Sequence, residues 1–419
     1  MSMTSTAGTH AGSPCHGVIE RETALHLPGL DRWLRLLLRL GGHLDYGTVM
    51  LALPNGPTVA VRGRTPGPTA EIVLRDQRLG RRVLMRGGLG FAEAYMDGDF
   101  DTPDLTTLLA VMNVNEALMD RVLDGKWWMR ALARVGHVMN RNSRKGSRRN
   151  IAHHYDLGND FYAAWLDPGM TYSSAVFDGG VTDLSAAQDA KNDLLGRKLG
   201  LGPDLHVLEI GCGWGGFAER AAKHFGARVT AVTISREQHD YARRRIFEAG
   251  LAEKVEIRLQ DYRDIPGRFD RIASVEMFEA VGERYWPQFF GRIAELLKPE
   301  GRAALQVITI AEPYFERYRR HVDFIQKYVF PGGMLPSPTA FRAAAAAAGL
   351  RGGETTTHGA DYARTLRLWF ERFNAAQDRI RPLGFDARFQ RLWNYYLCYC
   401  EAGFDTRSID VMQTVLHPA

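Results

Sequence analysis

The chain has 419 residues, 45% hydrophobic and 24% charged, with a formal net charge of +5. That length suits two or three domains, and that balance supplies a buried core, so wholesale disorder is excluded. No apolar run of about 18 residues occurs, which excludes a spanning helix. The four cysteines, Cys15, Cys212, Cys398 and Cys400, have neither a disulfide framework's spacing nor a metal site's. A reducing, cytoplasmic setting and no metal are the expectation. The mild excess of base fits an anionic partner, phospholipid or nucleic acid, without choosing between them.

In chain order, residues 1–20 have no basic start and no apolar stretch, so they read as a disordered leader rather than a secretory signal. Residues 29–44 predict a short helix. Trp33, Leu36, Leu37 and Leu40 fall at helical spacing, with Arg32, Arg35 and Arg39 around them. Such a helix either packs on its own domain or lies on an anionic membrane surface. Residues 46–75 alternate and carry Gly and Pro turns, predicting hairpin strands, and 104–139 read as helical. Together 21–140 make a small mixed α+β domain. Residues 141–150 hold Arg141, Arg144, Lys145, Arg148 and Arg149 with no acid. They form a linker, either simply solvated or a polybasic site for lipid headgroups.

From 151 to 419, short apolar strands alternate with helices. The strands are 206–210, 228–233, 255–259, 271–275 and 303–308. That pattern predicts an α/β domain whose parallel sheet is covered on both faces. Cys398 and Cys400 read as buried thiols, and His153 and His154 lack a spaced metal partner and read as structural.

The strand at 206–210 runs into Gly211, Gly213 and Gly216, a G-x-G-x-x-G turn, with a helix expected to start near Trp214. Alone this is a weak dinucleotide signal. Glu209 precedes the first glycine at the strand end, and the second strand ends in Thr233, Ser235 and Gln238 with no acid for a ribose hydroxyl. A cofactor without a pyrophosphate but with an amino-acid end fits better. Glu209 then suits an ammonium, and Asp261, followed by Tyr262, suits an adenine amino group. The arrangement resembles the Rossmann-like S-adenosylmethionine methyltransferase fold. That resemblance implies a mostly parallel seven-stranded sheet with helices on both faces, beside the smaller N-terminal domain.

Residues 153–177 (HHYDLGNDFYAAWLDPGMTYSSAVF), VTISREQ, VEMFEAVGERYW, QKYVFPGGMLPS and HGADYARTLRLWFERF resemble one family. It comprises the cyclopropane-fatty-acyl-phospholipid synthases and the mycolic-acid methyltransferases. The likeness covers about 150–419 in order, and EAYMDGDFD (93–101) extends it weakly toward the N-terminus. It implies methylation of an alkene in a phospholipid acyl chain by S-adenosylmethionine. The resulting carbocation is deprotonated by bound bicarbonate and closes to a cyclopropane. It implies further that Tyr172 and Ser173 contact the methionine end of the cofactor, and that the anion is held by Glu279, Ile308 and Tyr362. Two positions depart from the family's pattern: Ser174 stands for its Cys and Gln306 for its His. Slower proton removal there would divert the cation to a methyl-branched or methylene chain.

Unsaturated phospholipid at the inner membrane surface is thus the expected partner, and the oligomeric state stays open, a homodimer included. The rivals are a small-molecule methyltransferase and a non-catalytic cofactor-binding homologue. A nucleic-acid amino-methyltransferase is disfavoured, because SVEMFEAVG (274–282) has no Pro pair for a flipped base.

Overall fold

The computed structural model describes residues 17–115 and 157–419. Residues 1–16 of the leader, the helical stretch beyond 115, the basic segment 141–150, and His153 and His154 lie outside the described residues; the leader's expected end at 20 is corrected, because Val18–Glu20 form a strand paired with Thr58–Ala60. The chain divides into two compact units, Met1–Leu123 and Asp124–Ala419.

The first unit contains β1 (Val18–Glu20), α1 (Arg21–Ala24), α2 (Arg32–Gly41), β2 (Tyr46–Ala52), β3 (Thr58–Arg62), β4 (Thr65–Leu74), α3 (Arg78–Met96), β5 (Phe100–Asp101) and α4 (Leu105–Val114). Its sheet has the order β1-β3-β2-β4-β5. The β2–β3 pair is the expected hairpin, but β4 joins β2 in parallel. Asp31 starts α2 by accepting from the N–H groups of Trp33 and Leu34. The face of α2 that packs is Leu34 and Leu38, not the stripe of Trp33, Leu36, Leu37 and Leu40. The two faces differ by one residue, roughly 100° of rotation. The helix α3 departs from the sequence reading, which places none at 78–96. Gly80, Gly87, Gly88 and Gly90 all argue against a helix, and it forms by packing on α2, with a kink at Gly87 (φ +57°).

The second unit contains α5 (Asn159–Ala163), α6 (Leu184–Leu199), β6 (His206–Ile210), α7 (Gly216–His224), β7 (Arg228–Thr233), α8 (Arg236–Glu248), β8 (Val255–Leu259), β9 (Phe269–Val275), α9 (Trp286–Leu296), β10 (Leu297–Ile310), α10 (Glu312–Tyr318), α11 (Pro338–Ala347), β11 (Leu350–Thr357), α12 (Gly359–Ala375), α13 (Gln377–Ile380), α14 (Ala387–Asp405) and β12 (Ile409–Pro418). Seven strands form one sheet in the order β11-β12-β10-β9-β6-β7-β8. Only β12 runs against its neighbours. Alternation along the strands sorts their side chains between two cores. Leu208, Ile210, Leu305 and Val307 meet α9 and α11, whereas Val207, Ala304 and Val415 meet α6, α7 and α8. Glu209, Gln306 and Gln413 share the parity of the second set, so one face of the sheet carries a buried polar row.

Gly80 shows how closely α2 and α3 approach: a Cβ there would stand 2.4 Å from the Leu34 nitrogen. Gly80→Ala is expected to destabilise the first unit by about 1–3 kcal/mol, the usual range for overpacking. Gly88→Ala, which meets nothing within 4 Å, should lose nothing. Denaturant unfolding of the two variants checks both.

Candidate active site

The chain leaves β6 toward β7 on one side and returns to β9 on the other. This is the topological switch where open α/β sheets bind ligands, at the carboxyl ends of the strands. The loop after β6 is left-handed at Gly211 (φ +82°) and Gly213 (φ +51°). A Cβ on Gly211 would also stand 2.6 Å from Met277 Cγ. No side chain fits there without displacing the loop after β9. Gly216 has no such constraint; it opens α7, two residues after the expected start, and Gly215 (φ +85°) supplies the third left-handed turn.

Tyr172, Ser173 and Ser174 form a strap over this crevice, clamped from α6. Gln188 Nε2 donates to the Ser173 carbonyl and Lys191 Nζ to Ser173 Oγ, both at 2.8 Å. Tyr172 packs against Tyr162, Trp165 and Trp369 and donates its hydroxyl to Tyr396 at 2.8 Å. Gln188, Lys191 and Asn192 lie on the inward stripe of α6 among Leu184, Ala187 and Leu195, and all are buried. Polar residues on an apolar stripe were the signal available in the sequence for this clamp.

The residues expected to hold a bound anion do gather, but around a carboxylate of the chain itself. Glu276 follows β9 directly, with a left-handed backbone (φ +48°) pinned by donation of its N–H to the Gln306 carbonyl at 2.8 Å. Its Oε1 accepts from the Ser174 N–H (2.8 Å) and Gln306 Nε2 (2.7 Å), and its Oε2 from the Tyr362 hydroxyl (2.6 Å). A non-glycine residue held in this region signals strain kept by its surroundings. The Ile308 N–H serves a different acid, donating to Glu279 Oε1 at 2.5 Å. The expectation of five groups on one bicarbonate is therefore corrected: Ser174, Gln306 and Tyr362 serve Glu276, and Ile308 serves Glu279. The Ser174 hydroxyl turns away to the Ala175 carbonyl. The residues present do not fit a bicarbonate at that point, because the donors already have an anion.

Residues 142–414 match the model of the mycolic acid cyclopropane synthetase family. The chain belongs to that family. A tuberculostearic acid methyltransferase of Mycobacterium tuberculosis is 41% identical, covering 91% of this chain and 90% of that one. The cyclopropane-fatty-acyl-phospholipid synthase of Escherichia coli is 37% identical over 85% of this chain and 89% of its own. Among solved structures, a mycolic acid cyclopropane synthase complexed with SAH and CTAB superposes with a TM-score of 0.60 at 31% identity, covering 64% of this chain and 97% of that one. Like the rest of this synthetase family, the protein is an S-adenosylmethionine-dependent methyltransferase.

Its own residues fit that cofactor. Glu209 is buried, and its Oε2 has no hydrogen-bond partner. This is the acceptor an ammonium requires at the end of β6. The left-handed backbone at Gly211 and Gly213 provides the close approach. Thr233, Ser235 and Gln238 are tied to one another: the Thr233 hydroxyl donates to Gln238 Oε1, and Ser235 Oγ accepts from the Gln238 N–H to start α8. They shape the rim at the end of β7. Asp261 follows β8, where both its oxygens accept from the Arg263 guanidinium, and Tyr262 packs edge-on against Phe289. Among the described residues no metal-binding group of His, Cys, Asp or Glu occurs.

Burial dominates the electrostatics. It pushes the Glu209 carboxyl up to about 8, against the pull of Lys191 and of the Ala218 amide in α7. It pushes Glu279 up to about 8 as well, helped by the nearby charge of Glu276. Glu276 is also raised by burial, and its three donors and Lys191 oppose the rise. The same burial lowers Lys191 to about 8, against Glu276, Asp167 and Glu209. Sequence reasoning missed Glu276, Lys191, Gln188, Asn192 and Gln413.

Glu209 couples cofactor affinity to pH. The ammonium prefers the carboxylate, so complex formation below about 8 releases the Glu209 proton. Affinity is expected to rise with pH toward 8 and then level off. Calorimetry in two buffers of different ionisation enthalpy should detect the released proton at pH 7, and Glu209→Gln should lose both effects.

Proposed function

We propose that the protein methylates the double bond of an unsaturated phospholipid acyl chain, with Glu276 as the base. The observation that carries this reading is the Glu276 carboxylate, held by Ser174, Gln306 and Tyr362 where the family resemblance implies a bicarbonate. When bound, S-adenosylmethionine supplies an electrophilic methyl group. The alkene's π pair forms the new C–C bond as the methyl's C–S bond breaks, its pair leaving with S-adenosylhomocysteine, and a cation remains on the neighbouring carbon. The Glu276 carboxylate stands ready to remove a proton from the added methyl. If the proton leaves at once, its C–H pair closes a cyclopropane. If a hydride first shifts to the cationic carbon, the same pair forms an exocyclic methylene.

The methylene route is the one favoured here. Three donors on two oxygens draw charge from Glu276 and slow proton uptake, giving the hydride shift time. A saturated methyl branch would need two further electrons from a reductant, so the methylene chain is the product of this chain alone. In this reading the anion is part of the protein and no bicarbonate is used.

Glu276→Gln keeps the size but removes the basic oxygen. Turnover is expected to fall by a factor on the order of 100 or more, with cofactor affinity held within a few-fold. Acyl products analysed by mass spectrometry before and after ozonolysis decide the outcome, since ozone cleaves a methylene and spares a ring. Full turnover in Glu276→Gln removes the base, and an ozone-resistant product restores the ring.

The lipid surface is proposed to meet α2. With Leu34 and Leu38 used for packing, the stripe of Trp33, Leu36, Leu37 and Leu40 remains partly open, Leu36 at 41% exposure, beside exposed Arg32 and Arg39. No helix among the described residues is long and apolar enough to cross a membrane, so the contact would be peripheral. Each surface base is worth about 1 kcal/mol on an anionic bilayer. Arg32→Gln with Arg39→Gln should therefore weaken binding to phosphatidylglycerol vesicles by roughly 30-fold at low salt. Binding that ignores both salt and these substitutions removes α2 from the contact.

A further inference from the structure

We propose that Gln413 is a positioning residue for the base: it sets which end of the Gln306 amide faces Glu276. This rests on the reading of Glu276 as the base, and it concerns a residue on the last strand that touches neither cofactor nor Glu276.

Gln306 on β10 and Gln413 on β12 are direct cross-strand partners in the antiparallel pair. Both are buried, Gln413 completely. Gln413 Nε2 donates to Gln306 Oε1 at 2.9 Å. That leaves the other end of Gln306 to donate to Glu276 Oε1 at 2.7 Å, with a longer contact to the Ser174 carbonyl at 3.3 Å. A carboxamide has one donor end and one acceptor end, and an ionised carboxylate tolerates only the donor. If Gln306 turned over, its oxygen would face Glu276, an arrangement that favours the protonated acid. The donor from Gln413 holds the amide the other way.

A second feature supports this polarity. Gln413 Oε1 is buried and has no partner. An orphaned buried acceptor is unfavourable, yet turning Gln413 over would only set that oxygen against Gln306 Oε1, which offers no donor either. The unpaired oxygen is what remains when the donor end of Gln413 is directed at Gln306.

Other titratable groups also face Glu276. Lys191 reaches it from α6, Glu279 from the turn after β9, Tyr362 from α12 and Cys400 from α14. Lys191 and Tyr362 favour the carboxylate, and the ionised form of Glu279 would oppose it. None of these contacts depends on the orientation of Gln306, so a change at Gln413 should act through the Gln306 donor alone.

The test is the pH profile of turnover for the full chain on unsaturated phospholipid vesicles with saturating cofactor. Gln413→Met keeps the length and removes the donor. The acid limb of kcat is expected to move up by about one pH unit, with roughly ten-fold less turnover on the acid side and the alkaline plateau retained. Gln306→Met should move the limb equally, and the double variant no further than either alone. Gln413→Leu, which also lacks a donor, should move the limb as far. A uniform loss at all pH values, or effects of Gln413→Met and Gln306→Met that add, would mean packing only and overturn the proposal. Should Gln413→Met fail to fold, as judged by circular dichroism, Gln413→Leu carries the test: an unshifted limb there overturns it. Glu276→Gln separates the two readings. If it is inactive while the Gln413 variants keep the wild-type limb, only the role of Gln413 falls; if it is fully active, the base falls too.

Discussion

A largely buried carboxylate must be met by donors, and Glu276 is such a carboxylate. Leaving it unpaired would be unfavourable by several kcal/mol. Its three donors come from three distant parts of the chain: the strap at Ser174, the strand β10 at Gln306 and the helix α12 at Tyr362. Satisfying one side chain therefore fixes the strap over the crevice, the register of β10 against β9, and the approach of α12. The left-handed backbone of Glu276 and its N–H bond to the Gln306 carbonyl hold the acid at the center of these contacts.

The same requirement reaches the cofactor side. Lys191 is a buried cation whose nearest favourable charges are Glu276, Asp167 and Glu209. It also holds Ser173, one residue before the Ser174 amide. One helix face thus orients the strap and balances the acids at both ends of the site. Glu279 plays a different part. Its backbone carbonyl accepts from the Met334 N–H, and its side chain accepts from the Ile308 N–H. It ties the FPGGMLPS segment and β10 to the end of β9, while its raised pKa keeps it largely protonated at neutral pH. With Glu279 neutral, Glu276 is the carboxylate at this end of the site available to act as a base.

The sequence by itself determined the elements of the catalytic unit and the chemistry of its cofactor. The strands at 206–210, 228–233 and 255–259 lie where periodicity places them, because strands buried on both faces stand out as short apolar runs between turns. Gly211 and Glu209 were legible because strand, acid and glycine are adjacent in the chain, and local order suffices to read them. The residues needed for the site were also named in part: Ser174, Gln306 and Tyr362 do come together.

What they come together on was decided only by the tertiary structure. Glu276 and Glu279 stand three apart in one short segment, and nothing local says which side chain enters the crevice; the left-handed turn at 276 does. Gln413 is a polar residue in a strand buried on both faces, where alternation carries no signal, and its partner lies 107 residues away. In the first unit, α3 forms against the preference of its glycines because α2 lies close enough to need Gly80. The stripe of α2 that looked ready to pack is not the one that does. In each case the deciding contact joins residues far apart in the chain, and propensity and spacing describe only neighbours along it.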